Sequence, residues 1–225
     1  ADALAEYVDV ECDTLLVVGG LYGNPFALQA VLDMASQEQG RVRLCFNGDF
    51  NWFNVTPEWF DQINRVVLQH DCIVGNVEAE LGAPLDQADC GCAYPDSVPQ
   101  SVVDRSNQIH LQLKALAQRT PDVLTALVSQ PMFKTYRVGR LRVGVVHGDA
   151  DSLSGWRFDP AALNDSAENT WRVQAFERAS VDVFASSHTC SAAFHVQALK
   201  PGTALAGVVS NNGAAGMPSV KGRLS

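Results

Sequence analysis

Four short apolar runs, each ending in a side chain able to bind a metal, constrain this chain more than anything else in it. Residues 41–49, R-V-R-L-C-F-N-G-D, have strand-like composition, stop at an Asn-Gly turn and present Asp49. Ile73-Val74 lead to Gly75-Asn76, Val143 to Val146 lead to His147, and Val183 to Ala185 lead to Ser186-Ser187-His188. In an open α/β sheet, ligands collect where strands give way to loops at their carboxyl ends, so an acid placed there is well sited for chemistry. An ordinary core has no use for a carboxylate, an amide and two imidazoles at four such places.

The stretches between these runs read as helices. Leu15 to Val18 form an all-apolar run too short for a helix and suited to a buried parallel strand. Pro25 fits the first turn of a helix with apolar positions Phe26, Leu28, Val31, Leu32 and Met34, and Gly40 closes the connection to the next strand. Thr56 is a natural N-cap, Pro57 a first helical residue, and Phe60, Ile63, Val66, Val67 and Leu68 continue at helical spacing up to the strand at Cys72. Two β-α-β units follow from this order. Gly82 to Gln100 breaks into Pro, Gly, Asp and Cys, a long loop over the surface or the site. Helices are expected over about Val102–Gln118, with Ile109, Leu111, Leu113 and Leu116 as apolar positions, over Pro121–Leu127, and over Glu168–Ala179. Phe133–Val138 and Leu141–Val146 flank Gly139-Arg140 as a hairpin, so a mixed sheet is expected. Phe194 to Ser210 reads as two strands about a Pro201-Gly202 turn.

At 225 residues and 47% hydrophobic content the chain can bury a full core, and it reads as one domain over 1–225. A net charge of −9 and a pI near 4.9 argue against nucleic acid or an anionic membrane as partner, since both reward clustered Lys and Arg. No segment reads as a leader or as a membrane span, so a cytoplasmic protein is the expectation. The six cysteines, at 12, 45, 72, 90, 92 and 190, are too scattered for a disulfide framework. Cys12, Cys45 and Cys72 lie in or beside apolar runs, where a thiol behaves as a small hydrophobe.

In order along the chain stand G-G-L-Y-G-N, N-G-D-F, G-N-V-E, V-V-H-G-D, S-H-T-C and S-N-N-G-A-A-G-M-P. This series resembles that of the calcineurin-like metallophosphoesterases, D-x-H-G-N, G-D, G-N-H-E, H-G and G-H-x-H, over about residues 14–218. The resemblance implies a four-layer α/β/β/α sandwich of two mixed sheets flanked by helices, with metal sites at the strand ends. It also places one family metal on Asp49, Asn76, His147 and His188, all present. The other metal's positions fall on Gly20, Tyr22, the shared Asp49 and Cys190, and the histidine of G-N-H-E falls on Val77, which cannot move a proton. The chain is thus similar to a divergent member with one site kept and one degraded.

The four surviving groups make a mixed nitrogen and oxygen set suited to Mn, Fe, Zn or Ni, at about one ion per chain. A divalent ion there lowers the pKa of a water and polarises a phosphoryl oxygen. Asp49, His147 and His188 are the expected catalytic groups. Tyr22 and Cys190 either rebuild a second site, with help from Cys90 or Cys92, or fill the space of a missing ion. Arg157, Arg105 and Asn24 are candidates to grip a phosphate, and Asp149 or Asp151 to orient His147 from behind. Trp52, Phe53 and Trp156 could wall a pocket, Asn211-Asn212-Gly213 would turn near the site, and His70, His110 and His195 are read as surface or partly buried. The function expected is hydrolysis of a small phosphate ester. The alternatives are a non-catalytic, metal-stabilised binding or regulatory protein, and a Cys/Tyr-ligated iron or zinc enzyme of different chemistry.

Overall fold

The structure, a computed structural model, describes residues 1–84, 89–198 and 205–210. Its strands are Val10–Cys12 (β1), Thr14–Val18 (β2), Val42–Asn47 (β3), Asp71–Ile73 (β4), Phe133–Val138 (β5), Leu141–Val146 (β6), Val183–Ser186 (β7), Ala193–Ala198 (β8) and Leu205–Ser210 (β9). The helices are Asp2–Ala5 (α1), Pro25–Gln37 (α2), Pro57–Val67 (α3), Asn76–Leu81 (α4), Gln100–Ala117 (α5), Pro121–Val128 (α6), Pro160–Asn164 (α7) and Asn169–Ala179 (α8). Two sheets form, a three-stranded one in the order β2-β3-β4 and a six-stranded one in the order β1-β5-β6-β7-β9-β8. The smaller is parallel throughout, and the larger is mixed, with β5–β6 and β8–β9 antiparallel. The hairpin expected over 133–146 pairs Phe133 with Val146 and Val138 with Leu141. The turn expected at Pro201-Gly202 and the one at Asn211-Asn212-Gly213 lie outside the described residues.

Side chains that alternate along each strand divide the apolar residues among three layers. From β3, Leu44 and Phe46 face α2, α3 and α6, whereas Cys45 faces the other sheet. Val143 and Val145 of β6 and Ala185 of β7 meet Cys45, Ile73 and Tyr136 between the sheets. Phe184 and Val146 turn the other way, onto Phe176, Ala175 and Leu163 of α8 and α7. Helix, sheet, sheet and helix therefore stack as four layers. The buried Arg142 guanidinium ties the outer layer down, donating to Asp9 Oδ1 at 2.8 Å and to the carbonyls of Leu4, Tyr7, Ala179 and Ser180.

Several local expectations need correction. Phe26 is 77% exposed and Met34 40% exposed, because α2 buries only the narrower stripe of Leu28 and Val31. Helix α5 buries Ser106, His110 and Lys114 alongside Leu113 and Leu116. His110 is thus a core residue rather than a surface or partly buried one. Its Nε2 lies 3.1 Å from Val77 O, and Lys114 Nζ donates to Pro84 O at 3.1 Å, so both polar groups serve carbonyls of the segment packed below. Strand β1 and helix α4, only three and six residues long, carry too little periodicity to be read from sequence.

Candidate metal centre

Asp49 and Asn76 follow β3 and β4 of the small sheet; His147 and His188 follow β6 and β7 of the large one. Within each pair the strands run parallel, so each sheet delivers two candidate ligands to the same edge. All four side chains are buried, from 1% exposed at His147 to 7% at Asp49. His147 Nε2 lies 2.9 Å from Asn76 Oδ1, 3.2 Å from Asp49 Oδ2 and 3.2 Å from His188 Nδ1. The Asp49, His147 and His188 ligand atoms all fall within 4.8 Å of one another. Atoms bonded to one ion at about 2.0–2.2 Å stand at such spacings.

The partners behind each ligand decide which atoms face inward. His147 Nδ1 donates to Asn47 O at 2.8 Å, which leaves Nε2 with a lone pair when the ring is neutral. His188 Nε2 donates to Cys92 O at 3.0 Å and so turns the Nδ1 lone pair inward. Asn76 Nδ2 donates to Cys90 O at 2.8 Å, aiming Oδ1 the same way. Asp49 Oδ1 accepts from Val77 N at 3.0 Å, leaving Oδ2 free for the centre. With both rings neutral, four lone pairs converge and no hydrogen lies among them. Such a cluster requires a positive charge, which is either one proton on His147 or a cation, and the donor set fits the divalent ions expected from the sequence.

The titration behaviour follows from this crowding. Burial would lower His147, but the Asp49 charge and hydrogen bond raise it above the ordinary imidazole value. Burial and the neighbouring His147 push His188 down to about 4. Burial would raise Asp49, yet the two imidazoles and the Val77 N–H hold it below the usual carboxylate range.

Glu78, which sequence reasoning missed, braces the arrangement. Its carboxylate accepts from the backbone N–H of Asp49 at 2.7 Å, Asn51 at 3.0 Å and Gly75 at 3.2 Å. Burial and the Asp49 charge push it up to about 7. The signal was the acid of G-N-V-E, two residues beyond Asn76. Close approach also explains Gly75, where a Cβ would stand 2.3 Å from Asp49 Oδ1, and Gly48, at φ +72, where one would stand 2.7 Å from His147 Nδ1.

Tyr22 and Cys190 meet as the resemblance implies, but they bind each other. Tyr22 Oη and Cys190 Sγ are 2.5 Å apart, and Cys190 Sγ lies 3.4 Å from His188 O. A phenol donating to the sulfur and a thiol donating to the carbonyl satisfy both groups. Burial and the Cys190 neighbour raise the Tyr22 phenol above its ordinary value, so it stays protonated. Tyr22, Asp49 and Cys190 all adopt left-handed backbone, with φ of 50°, 53° and 55°. For non-glycine residues this costs on the order of 1 kcal/mol each and concentrates at sites.

Cys90 and Cys92 fold over the centre, as the notion of a loop above the site requires, but as a disulfide and not as thiol ligands. Their contribution is the pair of carbonyls that hold Asn76 and His188. Asn24 caps α2, accepting from Phe26 N at 3.0 Å and Ala27 N at 3.1 Å, so its oxygen is already engaged. Arg157 pairs with Glu168 at 3.4 Å and lies 4.7 Å over the Trp171 ring, while Arg105 is exposed on α5. Asp149 accepts from the N–H groups of Asp151, Ser152 and Arg157 and Asp151 pairs with Arg178, so neither orients His147; Asn47 O and the Ser187 hydroxyl at 3.5 Å stand there instead. Trp52 is buried; Trp156 packs on His188 at 5.1 Å and Phe53 on Tyr22 at 6.0 Å.

No protein-family model matches this sequence, and no curated protein does. Among solved structures, a metallophosphoesterase from Sphaerobacter thermophilus aligns with a TM-score of 0.52 at 15% identity, covering 87% of this chain and 74% of its own. A hypothetical protein from Pyrococcus horikoshii aligns with a TM-score of 0.52 at 12% identity, covering 89% of this chain and 76% of its own. At these identities the likeness is one of fold, and the fold is metallophosphoesterase-like, with two sheets flanked by helices. Among the described residues no helix is long and apolar enough to cross a membrane.

Proposed function

We propose that this protein is a divergent metal-dependent phosphoesterase that works with one divalent ion per chain, held by Asp49, Asn76, His147 and His188. The observation that carries this reading is the convergence of four lone pairs from two sheets, each aimed by a hydrogen bond on its far side. A bound ion supplies Lewis acidity toward a phosphoryl oxygen and activates a water. The chain's own part is to present Asp49 Oδ2 as the negative ligand, to keep both imidazoles in the tautomer that leaves the inner nitrogen free, and to exclude bulk water from them. Val77 donates only its backbone N–H, and that goes to Asp49, so the side chain at this position offers a leaving group no proton. Hydrolysis therefore favours small esters whose leaving groups depart without help. A cytoplasmic setting belongs to the same reading.

A second reading, a metal-stabilised binding protein without turnover, is favoured by the burial of all four ligands. One experiment separates the two: metal analysis of the purified chain, followed by assays on aryl phosphate mono- and diesters with Mn, Fe, Zn and Ni. One ion per chain with turnover lost in Asp49→Asn supports the hydrolase. One ion with no turnover of any ester supports the binding protein, and no ion after supplementation rules out both.

A further inference from the structure

The C-G-C segment packs on the candidate metal centre and is hydrogen-bonded to two of its four side chains. Cys90 O accepts from Asn76 Nδ2 at 2.8 Å and Cys92 O from His188 Nε2 at 3.0 Å. The Trp156 indole N–H also donates to Cys92 O at 3.1 Å, the Ser154 hydroxyl donates to Gly91 O, and Cys90 N donates to Asn107 Oδ1 at 3.2 Å. Cys92 Sγ itself lies 3.4 Å from Asn76 Nδ2. Gly91 takes φ +66, and a Cβ there would stand 2.8 Å from Glu80 Cγ, so the segment is seated closely. The bridge closes a loop of three residues, which restrains little of the unfolded chain; stability is a weak reason for it to exist.

We propose that Cys90 and Cys92 form a redox latch on the metal centre. In the disulfide state the short ring fixes the two carbonyls that orient an imidazole and an amide ligand. In the dithiol state those carbonyls move and the ion is held less tightly. The inference rests on the metal reading above, though not on phosphoester turnover. Both cysteines are buried, at 1% and 5% exposure, and two thiols fill more space than one bridge in a close-packed site. Reduction therefore has to displace the segment that carries the carbonyls. The reductant class is a dithiol: its two thiol groups supply two electrons and two protons. The Cys90–Cys92 sulfur bond breaks, each sulfur takes one hydrogen, and the reductant leaves as its own disulfide. Loss of partners behind metal ligands costs about 10- to 100-fold in affinity, and two ligands lose theirs together.

The test is Mn(II) affinity of the full chain by calorimetry in three forms: oxidised, reduced with dithiothreitol that is then removed anaerobically, and Cys90→Ser/Cys92→Ser. Thiol alkylation and mass spectrometry verify the state of the bridge. The oxidised form is expected to bind at least tenfold more tightly than the other two. Trp156, bonded to Cys92 O and packed on His188, should report the same transition by fluorescence in metal-free protein. Cys190→Ala should leave the response intact. Equal Mn(II) affinity in the oxidised and reduced forms overturns the latch alone, as does failure of the bridge to form under oxidation. Absence of Mn(II) binding in every form overturns the metal reading and the latch with it. If the double variant does not fold, the chemically reduced wild type decides.

Discussion

The two halves of the site solve one geometric problem in opposite ways. On the side of Asn76, His147 and His188, every inward atom is a lone pair and every hydrogen has been turned outward onto a backbone carbonyl. On the side of Tyr22 and Cys190, a phenol and a thiol carry their own hydrogens and meet at 2.5 Å. The first half is unstable without a cation, or a proton standing in for one; the second is complete as it stands. The contrast teaches that two polar side chains can fill the space beside a ligand-like cluster and satisfy each other there. Tyr22 lies over Gly20, where a Cβ would come within 3.2 Å of its ring, so the residue without a side chain makes room for the large one.

The largest effect that could break this contrast comes from the half lined by lone pairs. Asp49→Asn or His147→Ala is expected to weaken Mn or Zn binding by more than about 100-fold, beyond what loss of an outer partner costs. Titration calorimetry would show it, and wild-type affinity in His147→Ala would move the ion elsewhere. Next comes the brace behind Asp49. Glu78→Gln replaces an acceptor of three backbone N–H groups by an amide that turns donors toward donors. A destabilisation of about 3 kcal/mol is expected from denaturant melts; a change under 1 kcal/mol would show that Glu78 is replaceable.

The pH dependence sharpens the difference further. Protons and metal compete for the inner nitrogens, and the folded His147 value is raised. Affinity is therefore full above that value and falls by about tenfold per unit as pH drops through it. The His188 ring, lowered to about 4, adds a second loss only in that more acidic range. A Kd that stays flat from neutral pH down to about 4 would remove His147 from the ligand set. The smallest effects belong to the other half. Tyr22→Phe and Cys190→Ala should each change stability by about 1 kcal/mol or less and leave metal stoichiometry unchanged. Loss of an ion in either variant would make Tyr22 and Cys190 ligands after all.

Much of this was legible in the sequence, for a physical reason. The four converging side chains sit where strands end, and an apolar run stopped by a polar group advertises that edge. The β-α-β units and the hairpin were equally plain, since Pro25, Pro57 and Gly139-Arg140 punctuate them. What stayed hidden were groups whose role depends on distant contacts. His110 and Lys114 look like surface residues until α5 is set against the carbonyls of Val77 and Pro84. Asn47 and Cys92 act through backbone oxygens, which carry no side-chain signature. Arg157 and Asn24 had the right chemistry for a phosphate, yet Glu168 with Trp171 and the N-terminus of α2 engage them first.

Anomalous diffraction from crystals of the oxidised chain grown with Mn or Zn tests the central claim most directly. We expect one peak per chain, bonded to Asp49 Oδ2, Asn76 Oδ1, His147 Nε2 and His188 Nδ1, with Tyr22 and Cys190 still bonded to each other. A second peak between Tyr22 and Cys190, or no peak among the four, would contradict the proposal of a single metal position at Asp49, Asn76, His147 and His188.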